Sequence, residues 1–442
     1  MSDRDVKLRR MQRLSAAEVF TPTSYPHHTY VQRDQLHHER LLRQWAQSST
    51  QIASISGPSK AGKTVLVQRI VGEGNLITVS GASVRQADQL WERVLDWWGE
   101  PHATTASHVD NATEVESHDK GVTVGLSGTG ASHKSASSTS SGVIDTTQAT
   151  VNRRGLPQVV QELAGSPYTV LLDDFHYIPA AIQGDVAQQL KDAASRGVRI
   201  CVCSVPHRAD NVVRALSELR GRVLAVDLDY WSRKDLLEIP RLGFAHLGIN
   251  VDTESLQIFG TEAAGSPQLM QSICLWTCNQ LKVHETAEPT RAVTLDHPAR
   301  KEVFFLTSLT ADFRSLVGAL IAGPKARPGE RKKYIHRDGR RGDVYLTIMR
   351  AIAMDPPRLT IDRGELDRRL EELAKEHERP DGASITRTCG ALGQIASTFD
   401  AGVGGPSLEW DEQLQVLVLS DPYLLFYLRW SDILERVADN DP

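Results

Sequence analysis

Five short apolar runs recur along the first half of the chain, at 51–56, 75–80, 168–175, 198–205 and 222–228. Each run has the length of a strand and is rich in apolar residues, as in VRICVCSV and RVLAVDL. Segments with apolar residues at helical spacing separate the runs. Buried strands that alternate with helices predict a parallel sheet covered on both faces, and therefore an α/β fold.

The second half of the chain changes to helical spacing. Apolar residues recur every three to four positions from 230 to 320, which predicts a helical lid on the core. Helical patterns return at 343–354, 363–377 and 384–397, and LEWDEQLQVLVLSDP then predicts a hairpin. Three helices and a two-stranded wing describe a winged-helix module. The predicted units are an N-terminal extended segment, a core, a helical lid, a basic linker and a winged-helix domain, at 1–35, 36–229, 230–320, 321–342 and 343–442.

Two segments depart from these patterns. Residues 101–150 contain 18 Ser or Thr and almost no large apolar side chains, so we expect 101–153 to be a mobile insertion or a plain linker. A short alternation, GVTVGLSG at 121–128, could form a hairpin within it. Residues 322–342 hold eight Lys or Arg against two acids, with several Gly and Pro, which indicates a flexible basic linker.

Composition narrows the class of protein. The chain has 442 residues, 40% hydrophobic and 24% charged, which is typical of globular proteins and long enough for two or three packed units. The net charge of −5 gives no global attraction to nucleic acid or acidic membranes. Because the first thirty residues are charged throughout and no apolar run reaches 18 residues, we expect a cytoplasmic protein with no membrane contact. The five cysteines form no CxxC cluster and are expected in the core: Cys201, Cys203, Cys274, Cys278 and Cys389.

The strongest motif follows the first apolar run. It matches GxxxxGK[ST], with a strand before it and a helical start, VLVQRIV, after it. Glycine at both ends lets successive main-chain N–H groups point at phosphates, and the next helix adds its positive end. The motif predicts a P-loop that binds ATP and Mg²⁺; the alternative is a glycine turn with an incidental lysine. Its residues are Gly57, Pro58, Ser59, Lys60, Ala61, Gly62, Lys63 and Thr64.

Two carboxylates end the third apolar run. Asp173 is placed to bind magnesium together with the Thr64 hydroxyl, while Lys63 would bridge the β- and γ-phosphates. Asp174 would orient or deprotonate the attacking water. The alternative is an Asp pair that caps a helix.

Together these motifs resemble the AAA+/STAND class of P-loop ATPases, in particular bacterial or archaeal-style members with a C-terminal winged helix. The resemblance covers about 35–430 apart from the insertion. It implies a sensor role for Ser204 after the fourth run and a trans-acting arginine finger at Arg220 or Arg222. Arg208 is a competing cis candidate, and a solvated or salt-bridged helix end is the alternative for each arginine.

The resemblance extends to the lid and the C-terminus. Gly265-Ser266-Pro267 is similar to the GxP motif with which STAND proteins contact nucleotide, although proline at a helix start explains it too. SDPYLLFYLRW at 420–430 is similar to the ending of such winged helices and is interpreted as packing alone. One departure matters: the second Walker B residue, Asp174, is not glutamate, which implies slow turnover.

Three functions remain open. The first is an ATP-driven switch that forms a homo-oligomer in the ATP state and controls a separate effector or sensor protein, as STAND relatives do in bacterial defence. The second is a DNA-associated ATPase, a loader or transposition-type regulator, that uses the winged helix and basic linker. The helix predicted in the recognition position offers only Arg387, so 325–341 is the better nucleic-acid candidate. The third is a nucleotide-binding scaffold without turnover.

Overall fold

A computed structural model describes the backbone of most of the chain. The described residues are 13–33, 37–48, 51–98, 103–105, 150–152, 155–205, 223–324, 331–375, 378–401 and 405–439, with the backbone alone at 48, 103–105, 150–152 and 439. Within this described part, every helix is too short or too polar to cross a bilayer.

The N-terminal part of the chain forms a base built on one parallel sheet of five strands. Its strands are β1 (Ile52–Ser56), β2 (Leu76–Ser80), β5 (Thr169–Asp173), β6 (Arg199–Ser204) and β7 (Val223–Asp227). All five strands coincide with the apolar runs, which confirms the predicted α/β class. Their order in the sheet is β2-β5-β6-β1-β7, so β6 lies between the strand before the P-loop and the strand that ends in the paired aspartates.

Alternation along the strands buries both faces of this sheet. Val170 and Leu172 pack into the core cluster on one face, while Leu171 between them packs into the cluster on the other. Cys201 and Cys203 lie with Leu171, and all five cysteines are buried, as predicted. The helices of this part are α1 (Ala16–Val19), α2 (His38–Ser48), α3 (Lys63–Val71), α4 (Gln89–Trp98), α5 (Leu156–Leu163) and α6 (Ala180–Ser195).

The predicted insertion begins and ends as a strand pair. Ala103–Thr105 (β3) and Thr150–Asn152 (β4) are antiparallel, with Thr104 opposite Val151. The hairpin predicted at 121–128 lies outside the described residues.

The lid follows the base and is mainly helical, as the pattern predicts. Its helices are α7 (Arg233–His246), α8 (Thr253–Glu262), α9 (Pro267–Gln280) and α10 (His297–Ser308). Sequence reasoning missed a pair of three-residue parallel strands in it, β8 (Ile249–Val251) and β9 (Arg291–Val293). Strands this short carry no readable periodicity, so their pairing depends on tertiary contacts.

A second folded unit occupies the C-terminal part of the chain, and 331–439 is called the C-terminal unit below. It contains a three-stranded antiparallel sheet, β12-β14-β13, including the predicted hairpin. Its elements are β10 (Tyr334–Ile335), β11 (Arg341–Gly342), α12 (Val344–Ile352), β12 (Thr360–Asp362), α13 (Arg363–Leu373), α14 (Gly382–Phe399), β13 (Leu408–Asp411), β14 (Val416–Leu419), α15 (Pro422–Trp430) and α16 (Ile433–Asp439). Helix α11 (Arg314–Ala322) precedes the unit and adds Leu316, Val317 and Leu320 to its core.

The described part of the basic segment is folded, which differs from the flexible linker expected there. Residues 331–342 form the β10–β11 hairpin, and Arg331 donates to the Asp343 carboxylate at 2.8 Å. His336 is fully buried and its Nε2 lies 3.0 Å from the Thr347 hydroxyl. The hairpin is ordered by ion pairs and by one buried histidine. Charge and Gly/Pro content alone do not reveal such partners, so they do not predict the hairpin.

Candidate functional site

The P-loop has the backbone shape that its glycines permit. A Cβ on Gly57 would lie 2.8 Å from the Cβ of Leu228, so only glycine lets the loop pass β7 this closely. Gly62 has a φ of +91° and is the N-cap of α3, which begins at Lys63. Lys60 also has a positive φ, +61°. The free N–H groups of the first turn of α3 therefore face the loop and favour an anion.

Lys63 and Thr64 enter the site from the first turn of α3. The Lys63 ammonium is buried, with 6% exposure, and its Nζ donates to the carbonyl oxygens of Gly57 and Pro58 at 2.9 Å each. Thr64 Oγ1 donates to Asp173 Oδ2 at 2.7 Å. The structure thus brings the motif hydroxyl and the strand-end carboxylate into contact, although they lie on separate elements.

Asp174 occupies the turn after β5. Its φ is +55°, and its main-chain oxygen would lie 2.4 Å from a Cβ on Gly81, so the turn depends on glycine at the end of β2. Burial, and then the Asp173 charge, raise the pKa of the Asp174 carboxyl to about 6, against the opposing effect of Lys63. With a pKa of about 6, the Asp174 carboxylate could accept a proton from water close to neutral pH.

Ser204 ends β6 beside the P-loop. Its main-chain oxygen accepts from the Gly57 N–H at 3.2 Å, and its side chain is 1% exposed. The Ser204 hydroxyl has no hydrogen-bond partner among the described residues. A buried polar atom without a partner is unfavourable, which suits a group that bonds to a ligand.

A cavity of about 460 Å³ lies over the P-loop, a size typical of small-ligand sites. The N-terminal segment, the loop, the aspartate turn and the lid all form its wall. The lining includes Tyr25, Tyr30, Lys60, Thr64, Asp173, Asp174, Trp231, Pro267 and Gln271.

The N-terminal segment contributes aromatic side chains that sequence reasoning missed. The rings of Tyr25 and Tyr30 stack with centroids 6.1 Å apart, and the Arg69 guanidinium lies 5.0 Å from the Tyr30 ring. Tyr30 Oη donates to Glu39 at 2.7 Å, and burial raises the pKa of this phenol, which keeps it protonated. The run FTPTSYPHHTY is the available signal, but this irregular segment, with turns at 22–23 and 27–29, shows no periodicity that reveals its partner.

A tryptophan links the lid to the P-loop, and sequence reasoning missed it as well. Trp231 Nε1 donates to the main-chain oxygen of Ala61 at 2.9 Å, and the Trp231 N–H donates to the Gly265 oxygen at 3.1 Å. Gly265 has a φ of +81°, and a Cβ there would lie 2.9 Å from the Tyr230 Cβ. The lid motif is thereby connected to the P-loop through Trp231.

The three residues of the lid motif differ in position. Ser266 is buried and caps α9 by accepting from the Leu269 N–H at 3.2 Å, and Pro267 is the first residue of that helix. Only Pro267 of the three lines the cavity. The expected arginines, Arg208, Arg220 and Arg222, lie outside the described residues.

The chain has similarity to several solved structures. No protein-family model matches the chain, and no curated protein matches its sequence. Among solved structures it is similar to Cdc6p from Pyrobaculum aerophilum, at 12% identity and a TM-score of 0.41, over 96% of this chain and 98% of that one. It is similar to the ORC2 protein from Aeropyrum pernix, at 11% identity and a TM-score of 0.47, over 96% and 97%. It is also similar to a Walker-type ATPase from Pyrococcus abyssi, at 11% identity and a TM-score of 0.46, over 90% and 96%.

Proposed function

We propose that this chain is an ATP-binding, slowly hydrolysing molecular switch of the AAA+/STAND type. The observation that carries the proposal is the 2.7 Å contact between Thr64 Oγ1 and Asp173 Oδ2. Hydroxyl and carboxylate oxygens are the ligands that magnesium prefers, and P-loop ATPases use this pair beside the phosphates. The glycine-dependent loop and the α3 N-terminus supply the anion site next to it.

The residues of the P-loop divide the work of binding. The main-chain N–H groups from Gly62 to Thr64 would bind the phosphates, and the Lys63 ammonium would exchange its carbonyl partners for phosphate oxygens. Thr64 and Asp173 would hold Mg²⁺, which when bound neutralises phosphate charge. The stacked tyrosines of the N-terminal segment form an apolar wall that suits a purine base.

Hydrolysis would depend on Asp174. Its Oδ atoms would accept a proton from the attacking water, and a carboxyl pKa of about 6 leaves most of this group ionised at pH 7. The side chain is one methylene shorter than glutamate, which places the carboxylate farther from the water and implies slow turnover. A slow ATPase stays in one nucleotide state long enough to act as a switch.

Other residues would report or complete the nucleotide state. We assign Ser204 as the γ-phosphate sensor because its buried hydroxyl has no partner in the described part of the chain. Gly265–Pro267 would contact nucleotide from the lid through Pro267. Arg220 or Arg222 would act on a neighbouring subunit, with Arg208 as the cis alternative, so that activity requires a homo-oligomer. The C-terminal unit would serve as a winged helix that passes the state to a separate effector or sensor protein.

Calorimetry on the full chain tests binding. Wild type should bind ATP with Mg²⁺, and both Lys63→Ala and Thr64→Ala should weaken binding at least tenfold, Thr64→Ala through the metal. Lys234→Ala, an exposed lysine of the lid, serves as the control and should bind as wild type does. No heat with wild type, or equal affinities in all four proteins, would contradict the proposal.

Mass in solution tests the switch itself. The wild-type mass should rise when ATP and Mg²⁺ are added, and Lys63→Ala should keep one mass under both conditions. A wild-type mass that does not depend on nucleotide would contradict the switch while leaving ATP binding intact.

The β10–β11 hairpin favours a second candidate, a DNA-associated ATPase. Lys332, Lys333 and Arg341 are exposed on it. Phosphate contacts by these side chains would give DNA binding that falls steeply with salt. Filter binding at low salt, with Lys332→Ala and Arg341→Ala, tests this candidate, and no retention of wild type would eliminate it.

A further inference from the structure

The first turn of α15, in the C-terminal unit, contacts the P-loop directly. Lys60 Nζ lies 3.3 Å from Asp421 Oδ2 and 4.7 Å from the centroid of the Tyr423 ring. Lys60 is one of the variable positions of the motif, so phosphate binding by the motif does not account for it. Lys60 has a positive φ, and it lines the cavity while it also contacts the start of α15.

Asp421 uses its two oxygens for different partners. Oδ1 caps α15 by accepting from the Tyr423 N–H at 2.9 Å, which leaves Oδ2 to face Lys60. The ion pair is partly exposed, with side-chain exposures of 28% for Lys60 and 22% for Asp421. A pair of this exposure is weak enough to exchange partners.

The same turn also contacts the lid. Tyr423 Oη lies 2.6 Å from Ser272 Oγ of α9, and it donates to the main-chain oxygen of Gln268 at 3.3 Å. Gln268 lines the cavity next to Pro267. The start of α15 is therefore joined to the P-loop on one side and to the lid on the other.

A second contact joins the C-terminal unit to the base. Gly405 packs on the ring of Tyr177, because a Cβ at Gly405 would lie 2.9 Å from Tyr177 Cε1. The Tyr177 N–H donates to the Asp174 main-chain oxygen at 3.0 Å. Both contacts with the base thus involve the two turns that carry the phosphate and water chemistry.

We propose that Asp421 and Tyr423 form a latch on Lys60 that phosphates bound at the P-loop release. The inference rests on the proposed nucleotide binding and adds its coupling to the C-terminal unit. Phosphates bring several negative charges to the wall that Lys60 lines, so they attract its ammonium and repel the Asp421 carboxylate. Binding therefore favours a state in which α15 has left the P-loop. By linkage, a closed latch lowers the affinity for nucleotide by the same factor by which bound nucleotide weakens the latch.

Asp421→Asn tests the latch in the full chain. Asparagine caps a helix as well as aspartate does, so α15 keeps its N-cap while the charge pair with Lys60 is lost. We expect ATP and ADP to bind about two- to fivefold more tightly to the variant, the range set by a partly exposed ion pair. Asp362→Asn is the matched control, since Asp362 caps α13 in the same unit by accepting from the Glu365 N–H at 3.0 Å. The control should bind as wild type does.

Hydrogen exchange separates the latch from a simple effect of charge. Adding ATP and Mg²⁺ to wild type should slow exchange in 57–64 and speed it in 421–425, and Asp421→Asn should exchange fast at 421–425 without nucleotide. Protection of 57–64 with no change at 421–425 would overturn the latch while leaving nucleotide binding intact, even if Asp421→Asn bound more tightly. No protection in either segment would instead contradict the proposed function.

Discussion

Asp174→Asn should make the protein more stable while strongly reducing turnover. Burial and the neighbouring Asp173 raise the pKa of Asp174 from 3.8 to about 6, so the folded base resists ionisation of this carboxyl. A tenfold change in proton affinity corresponds to about 1.4 kcal/mol, so the ionised form costs about 3 kcal/mol of folding free energy. Asparagine has the same shape and carries no charge.

The size of this stabilisation depends on pH. The raised pKa gives stability that is fully present below about pH 4, where the carboxyl is protonated in both states, and that is lost by about pH 6. The gain from Asp174→Asn should therefore be about 3 kcal/mol at pH 7.5 and only about 1 kcal/mol at pH 4.5. For a base of this size, 3 kcal/mol raises the unfolding temperature by about 6–12 °C.

Thermal unfolding at the two pH values, followed beside ATP turnover, measures both effects. We expect the variant to lose turnover by about 10²- to 10⁴-fold, the usual contribution of a general base, while ATP still binds. Asp185→Asn, an exposed aspartate on α6 of the same base, is the control and should change neither quantity. An Asp174→Asn protein that melts with wild type at pH 7.5, or gains equally at both pH values, would refute the reasoning.

Two further changes test the surroundings of the site. Gly81→Ala should lower the free energy of unfolding by about 1–3 kcal/mol and reduce turnover, because the added Cβ would lie 2.4 Å from the Asp174 main-chain oxygen. Gly74→Ala is the control: its Cβ would have nothing within 4 Å, so the variant should melt as wild type does. Equal melting temperatures of the two variants would contradict this reasoning. Trp231→Phe removes the N–H that donates to the Ala61 oxygen at 2.9 Å and keeps an aromatic ring. We expect the free energy of unfolding to fall by about 1 kcal/mol and calorimetry to show weaker ATP binding. An unchanged affinity for ATP would mean that this hydrogen bond does not position the P-loop.

Local patterns were enough to predict the sheet and the two phosphate-site motifs. Every core strand is a short run rich in apolar residues. The P-loop motif needs only its own glycines and the strand and helix beside it. Thr64 and Asp173 were predicted to share a metal because carboxyl ends of parallel strands lie at one edge of a sheet. In the structure the Thr64 hydroxyl and the Asp173 carboxylate are in contact at 2.7 Å.

The remaining parts of the site come from contacts between distant segments. Trp231 contacts Ala61 from the lid, and Tyr30 lines the cavity from an irregular segment with no periodicity. Asp421 belongs to the segment SDPYLLFYLRW, which is interpreted from sequence as packing alone, and its second oxygen contacts Lys60 through tertiary packing. Such contacts depend on how whole units pack together, and local sequence patterns do not reveal that packing.

The strengths of these contacts decide which interface a nucleotide can open. Arg429 of α15 donates to Glu262 of the lid at 2.7 Å, with side-chain exposures of 7% and 6%, and breaking a buried pair of this kind costs about 3–5 kcal/mol. Phe426 packs edge-on against Phe304 of the lid nearby, with ring centroids 5.7 Å apart. The contact of α15 with the P-loop is an ion pair exposed by a quarter, worth about 1 kcal/mol or less. Phosphate charge therefore acts on the weaker of the two interfaces of α15, so we expect α15 to leave Lys60 while its contacts with the lid persist.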